Sequence, residues 1–343
     1  DVYKRQFHTL EPTAQITFSA NPVVRLGELA FGDVSWRTME KSTTTIETSS
    51  RRAAATLAAF VMLTKPRIIE LLLITTVPAM VLAEGGMPRL SLVVLTVVGG
   101  ALGAGGANAF NMYIDRDIDQ LMQRTQGRPL VTGAVSPRAA LIFAFALEIA
   151  AFLLFSIWVN LLSAFLTVGA CAFYVFIYSL WLKRTSRQNI VIGGAAGAAP
   201  ALIGWAAVEG SLSLSAIILF AIIFFWTPPH FWALAIKYAE DYEAAEVPML
   251  PVVVSIRSTA KSMILYTVIV LALSLWFHFV ADLNLIYLTV AVLGGLVFLW
   301  RTINLLRLPN ATQAMKVFTY SIVYLGALFI AVAIDVLTYG TGT

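Results

Sequence analysis

Nine apolar runs of 16 to 25 residues constrain this sequence more than any other feature, because each is close to the roughly 20 residues a helix needs to cross a bilayer. They lie at 68–83, 90–113, 139–159, 161–182, 190–208, 212–236, 263–280, 285–300 and 317–337. Inside hydrocarbon every backbone N–H and C=O must find a partner within the protein, which leaves helices and closed barrels as the spanning structures. Unbroken apolar runs, with no alternation of apolar and polar residues, select helices. The expected fold is therefore all-α, a polytopic membrane bundle of nine transmembrane helices. Composition agrees: 12% of residues are charged, against about 25% in an ordinary soluble domain, and mean hydropathy is +0.82. The length of 343 residues alone would suggest two soluble domains. The first run is short and is expected to begin near Thr64, taking in Lys65, Pro66 and Arg67, with proline tolerated in a first helical turn.

Residues 1–52 are polar and mixed in charge and read as a disordered tail; residues 53–343 form the membrane domain. Glu11, Glu28, Asp33, Glu40 and Glu47 argue against an acid-poor organellar presequence.

The connections alternate in length and charge. The short set, 84–89, 160, 209–211 and 282–284, carries one basic residue, Arg89. The long set, 113–138, 183–189, 237–262 and 301–316, carries thirteen, from Arg116 to Lys316. Basic loops stay in the cytoplasm, so the N-terminus is expected inside and the C-terminus outside, with an odd number of spans in a bacterial cytoplasmic (inner) membrane. The same asymmetry accounts for the net charge of +4 and pI of 9.2 without nucleic acid as a partner. The single cysteine, Cys171, lies in an apolar run, has no intrachain disulfide partner and reads as a small core residue.

Polar chemistry concentrates on the basic side. Asn111, Asp115 and Asp119 recur at i, i+4 and i+8, which stacks them on one helix face with Asn108 a turn earlier. Two carboxylates four residues apart repel unless a cation lies between them. Mg²⁺ favours a few carboxylate oxygens together with water and substrate phosphates, so the face suits a metal-bridged diphosphate; the plainer alternative is a solvated charged loop. Asp117 points elsewhere and reads as solvated. Arg124 and Arg128 can grip phosphate oxygens with their forks, or simply anchor a cytoplasmic loop. Lys183, Arg184 and Arg187 form a further basic patch with the same two readings. After the sixth run, Asp241 is a candidate ligand for a second metal ion, while Glu243 and Glu246 read as solvated. Glu148 falls midway along the third run, where a carboxyl is costly unless neutral or paired.

Of three histidines, His8 lies in the tail and His278 near the outer end of a span. His230 lies within the sixth run after Pro228 and Pro229, which are expected to break or kink that helix. It is either a satisfied core residue or an axial ligand for a heme-type macrocycle.

The Asn-x3-Asp-x3-Asp pattern of Asn111, Asp115 and Asp119, with an acidic loop after the sixth span, resembles the intramembrane prenyltransferase superfamily typified by 4-hydroxybenzoate polyprenyltransferase. Four stretches are similar to its heme-farnesylating branch, the protoheme IX farnesyltransferases or heme O synthases. They are Leu63-Thr-Lys-Pro-Arg67; Tyr113-Ile-Asp-Arg-Asp-Ile-Asp119 with Arg124-Thr and Arg128-Pro; Leu182 to Gly194 with Gly204-Trp205; and Pro229-His-Phe-Trp-Ala-Leu-Ala235 through Asp241-Tyr242 to Pro251. One departure stands out: the superfamily's second loop carries Asp-x3-Asp, and here Ala245 follows Asp241 at that interval.

The resemblance implies a bundle around a central cavity opening sideways to lipid. It implies farnesyl diphosphate as donor, held on Mg²⁺ by Asn111, Asp115, Asp119 and Asp241, with Lys65, Arg67, Asn108, Arg124, Arg128, Lys183 and Arg184 around the diphosphate. It implies heme B as the acceptor, prenylated on a vinyl group beside His230, and heme A synthase or a terminal-oxidase assembly as partners. A quinone- or chlorophyll-type acceptor is the alternative within the superfamily. An ion-coupled transporter is the alternative outside it, but transporter sites sit near the bilayer midplane rather than at one face.

Overall fold

The computed structural model describes residues 54–340, with the side chains of 67–73 left aside. The expected tail, 1–52, lies outside the described residues. The chain forms α1 (Ala54–Thr64), α2 (Pro66–Glu84), α3 (Leu90–Ile114), the short α4 (Ile118–Leu121) and a 3-10 turn at Gln123–Thr125. Next come α5 (Pro137–Trp158) and α6 (Leu161–Ala172), which runs without a break into a π-helical stretch, Phe173–Leu182, and α7 (Lys183–Thr185). The second half comprises α8 (Asn189–Glu209), α9 (Leu214–Lys237), α10 (Ala239–Ala244), α11 (Leu250–Val253), α12 (Ile256–Val280), α13 (Leu285–Arg307) and α14 (Ala311–Tyr339). Eight helices among the described residues are long and apolar enough to cross a membrane, and the 19-residue α2 stands at the first expected span.

The first span opens next to Thr64 with proline in its first turn, as expected, and Lys65 is its N-cap. That residue adopts a left-handed conformation (φ 52°, ψ 63°), ends α1 and lets Pro66 open α2. A helix continuing through the Lys65–Pro66 bond would clash with the proline ring, so the chain turns there. One expectation at the spans needs correction: of the break or kink expected at Pro228 and Pro229, the break does not occur, and α9 is helical from Leu214 to Lys237. In a water-poor core nothing competes for the remaining backbone bonds, and α8, α12 and α14 pack along α9 and hold it.

Close approach of helices relies on small residues. A Cβ at Gly204 of α8 would meet the Thr76 carbonyl oxygen of α2 at 2.6 Å, and one at Gly103 of α3 would meet the Thr167 methyl of α6 at 2.4 Å. Away from the basic loops, buried Asp335 of α14 caps the start of α13, accepting from the backbone N–H of Asn284 (2.7 Å) and Tyr287 (2.9 Å). Glu148 of α5 lies over Gly106 of α3 and beside Cys171 of α6, which supplies the neighbours its sequence position left open.

Candidate active site

The site is assembled where α3 ends. Regular helix stops at Ile114 and resumes at Ile118, so the expected face is carried by two helices rather than one. Its register survives, because Asp115 N–H bonds Asn111 O (2.9 Å) and Asp119 N–H bonds Asp115 O (2.8 Å). Asn111, Asp115 and Asp119 thus remain on a common side, with both carboxylates fully buried.

Two carboxylates in that position need cations, and the fold delivers one to each. Lys183 pairs with Asp115 Oδ2, and Arg128 pairs with Asp119 Oδ2. Asn111 bridges the group: its Nδ2 donates to Asp115 Oδ2 (2.8 Å) and to Ser179 Oγ (3.0 Å), and its Oδ1 accepts from Lys65 Nζ (2.8 Å). Asn108 Nδ2 donates to Thr64 O (2.9 Å), tying α3 to the end of α1. Asp115 Oδ1 and Asp119 Oδ1 are buried and have no hydrogen-bond partner. Each carboxylate therefore keeps one oxygen without a hydrogen-bond partner.

The π-helical stretch helps to aim two of these side chains. Ser179 and Lys183 both reach the Asn111–Asp115 pair, and Tyr174 stacks on Tyr178 (5.2 Å between centroids), whose ring presses on Gly193 of α8. π-helical insertions of this kind are frequent at functional sites.

The second acidic loop meets the first through the backbone and through Arg124. Gln123 N–H donates to Asp241 Oδ1 (3.3 Å), Arg124 donates to the Tyr242 hydroxyl (2.9 Å), and the guanidinium lies over the rings of Tyr242 (5.0 Å) and Tyr238 (5.7 Å). Arg184 forks onto Asp117 with two bonds of 2.7 Å and onto Ile114 O (3.1 Å). Asp117 is thus exposed, as expected, but paired. Arg67 is among the residues whose side chains are not described.

The electrostatics follow from burial. The Asp119 carboxyl is raised above its usual range by desolvation, with Asp115 adding to the rise and Arg128 opposing it. Desolvation, with Arg128 and Lys183 close by, brings the Lys65 ammonium down to about 7 against the pull of both aspartates. The Arg184 fork holds Asp117 down at about 2. Burial raises the Tyr242 phenol, while Arg124 pulls it back.

His230 occupies the α9–α14 contact, its ring stacked between Trp226 (4.3 Å) and Phe318 (4.6 Å). Ser321 Oγ donates to Phe318 O (2.7 Å) and lies 2.7 Å from His230 Nδ1. The hydroxyl has one proton and has spent it on the carbonyl, so Nδ1–H must donate to Oγ, and Nε2 carries the lone pair.

Sequence reasoning passed over Ser179, Tyr174, Tyr238, Tyr242 and Ser321. Ser179 carried a signal in hindsight, one helical turn before Lys183. Tyr174 and Ser321 carried none, since they blend into apolar runs, whereas Tyr238 and Tyr242 stand in the acidic loop beside Asp241, where only the carboxylates drew notice.

The profile of the UbiA prenyltransferase family matches residues 72–332. The chain belongs to this family. A protoheme IX farnesyltransferase from Streptomyces coelicolor is 51% identical over 293 residues, covering 84% of this chain and 93% of the relative. Among solved UbiA-type folds, a digeranylgeranylglyceryl phosphate synthase superposes with a TM-score of 0.69 at 18% identity, over 82% of this chain and 99% of its own. A UbiA homologue from Archaeoglobus fulgidus, bound to DMAPP and Mg²⁺, gives 0.58 at 18% identity over 82% and 99%. The UbiA fold places this chain in the membrane as a multi-pass protein.

Proposed function

We propose that the chain transfers a farnesyl group from farnesyl diphosphate to a vinyl group of heme B, giving heme O and diphosphate. The observation that carries the donor half is the pair of buried carboxylates, each with one unpartnered oxygen, ringed by Lys65, Arg128 and Lys183. The acceptor half is supported by the 51% identity to a protoheme IX farnesyltransferase across most of both chains.

In this reading the allylic C–O bond breaks, a C–C bond forms to the vinyl carbon, and water supplies the hydroxyl that quenches the resulting cation. Asn111, Asp115, Asp119 and Asp241 would hold Mg²⁺, which neutralises the diphosphate as it leaves; the unpartnered Oδ1 atoms of Asp115 and Asp119 fit that donor set. Arg128, Lys183, Lys65 and Arg124 bind and orient the diphosphate through charge-assisted bonds, exchanging their present carboxylate, amide and phenol partners for phosphate oxygens. Asn108 and Arg184 belong to the same rim, and Arg67 is assigned to the diphosphate by its place in the sequence motif alone. The stacked Tyr174 and Tyr178 lie on the neighbouring wall and keep water from the allylic carbon until the new bond has formed. His230 serves the acceptor, with Nε2 as the atom presented to iron.

In this reading the basic loops favour nine spans with the N-terminus and this site at the cytoplasmic face of a bacterial inner membrane. Membranes carrying the protein, incubated with labelled farnesyl diphosphate and heme B, should yield heme O by mass spectrometry, and EDTA should abolish the yield. Label appearing on a quinone precursor and not on heme would refute the acceptor, and full activity in EDTA would refute the metal.

A further inference from the structure

A cavity of about 670 Å³ lies between α9, α13 and α14, outside the carboxylate cluster. Its wall includes Lys237, Arg301 and Lys316, one cation from each of three helices, with Met315, Tyr320 and Val323 among its other residues. The cations share a depth. Lys237 immediately follows the apolar run 212–236, Arg301 immediately follows 285–300, and Lys316 immediately precedes 317–337. All three therefore stand in the plane where hydrocarbon gives way to headgroups on the basic-loop face, and Trp300, an interfacial anchor by type, lies under the Arg301 guanidinium at 4.9 Å.

None of the three forms an ion pair among the described residues. The ion pairs among the described residues involve Arg128, Lys183 and Arg184, and Arg301 Nε is a buried donor without a partner. The groove also opens away from the site described above. At 100° per residue, Lys316, Thr319 and Val323 stand roughly 140–160° around α14 from Ser321, which holds His230. Val323 is 59% exposed on that outer face, where acyl chains would run.

We propose that this groove binds an anionic phospholipid bearing two phosphates, of the diphosphatidylglycerol type. Basic pockets between transmembrane helices at the cytoplasmic side suit such headgroups, and three cations outside those ion pairs match two phosphates better than one. The acyl chains lie along Tyr320 and Val323, and the phosphates sit at the level of Arg301 and Lys316.

The test is native mass spectrometry of the full chain, purified and exchanged into micelles with tetraoleoyl cardiolipin, dioleoyl phosphatidylglycerol or dioleoyl phosphatidylcholine. Wild type should retain one cardiolipin per chain and little of either other lipid. The Arg301→Ala/Lys316→Ala variant should lose roughly tenfold or more in occupancy at equal lipid, as expected when a charge-assisted contact is removed. If that variant does not fold, Lys316→Gln, at an exposed position, should still show a measurable loss. Equal retention by wild type and variant would overturn the site. Equal retention of phosphatidylglycerol would overturn the two-phosphate assignment. Displacement of cardiolipin by stoichiometric hemin would assign the groove to tetrapyrrole carboxylates instead.

Discussion

Both partners of Asp115, the Asn111 amide and the Lys183 ammonium, crowd onto Oδ2 and leave Oδ1 bare. A buried ion pair broken on one side leaves an uncompensated charge and costs roughly 3–5 kcal/mol, whereas replacing both members can be neutral. Lys183→Met alone should therefore lower the melting temperature sharply, and Asp115→Asn/Lys183→Met should recover most of that loss. If the proposed site is right, both variants should turn over orders of magnitude more slowly, because the recovered fold still lacks the groups assigned to metal and diphosphate. Recovery of activity along with stability would mean that the pair is only structural. His230 allows a similar separation. Ser321→Ala removes the acceptor that fixes the imidazole tautomer while leaving the ring stacked on Trp226 and Phe318. Heme affinity should fall in Ser321→Ala and further in His230→Ala, with binding of a non-hydrolysable farnesyl diphosphate analogue unchanged. Equal loss of both ligands would mark His230 as a packing residue.

Helices α2 and α8 meet where Gly204 faces backbone. A methyl group there would lie 2.6 Å from the Thr76 carbonyl oxygen, and a backbone atom cannot rotate aside. Gly204→Ala should therefore destabilise the protein by about 1–3 kcal/mol, the usual range for overpacking. Gly197, on the same helix, has nothing within 4 Å of an added Cβ, so Gly197→Ala should leave the melting temperature unchanged or raise it slightly through helix propensity. Thermal unfolding of the two variants in one detergent checks the pair; equal melting temperatures would show that α2 shifts freely. The elements themselves were largely legible in the sequence, since each long run coincides with a helix. Element ends and breaks were less so. The turn at Lys65 and the unbroken helix through Pro228 and Pro229 reflect packing of neighbours against a local preference, and a one-dimensional pattern contains only the preference.

At the scale of the molecule, alternating loop charge predicts the orientation, so reporter fusions after Gly210 and after Asn284 should both read as outside. A cytoplasmic signal at either position would invert the assignment of the carboxylate cluster to the inner face. The sequence by itself determined the membrane class, the positions of the spans, the basic face and the Asn111–Asp115–Asp119 register. Each of these is a local consequence of hydrocarbon thickness, of loop charge or of helical periodicity. Only the tertiary structure decided which cation neutralises which carboxylate. Lys183 reaches Asp115 across 68 residues of chain, Arg184 takes Asp117 across 67, and Arg124 is caged by Tyr242 across 118. It also brought Lys237, Arg301 and Lys316 to one groove. Every one of these basic residues satisfies the charge bias of a cytoplasmic loop equally well, so the sequence leaves their partners degenerate, and helix packing alone selects among them.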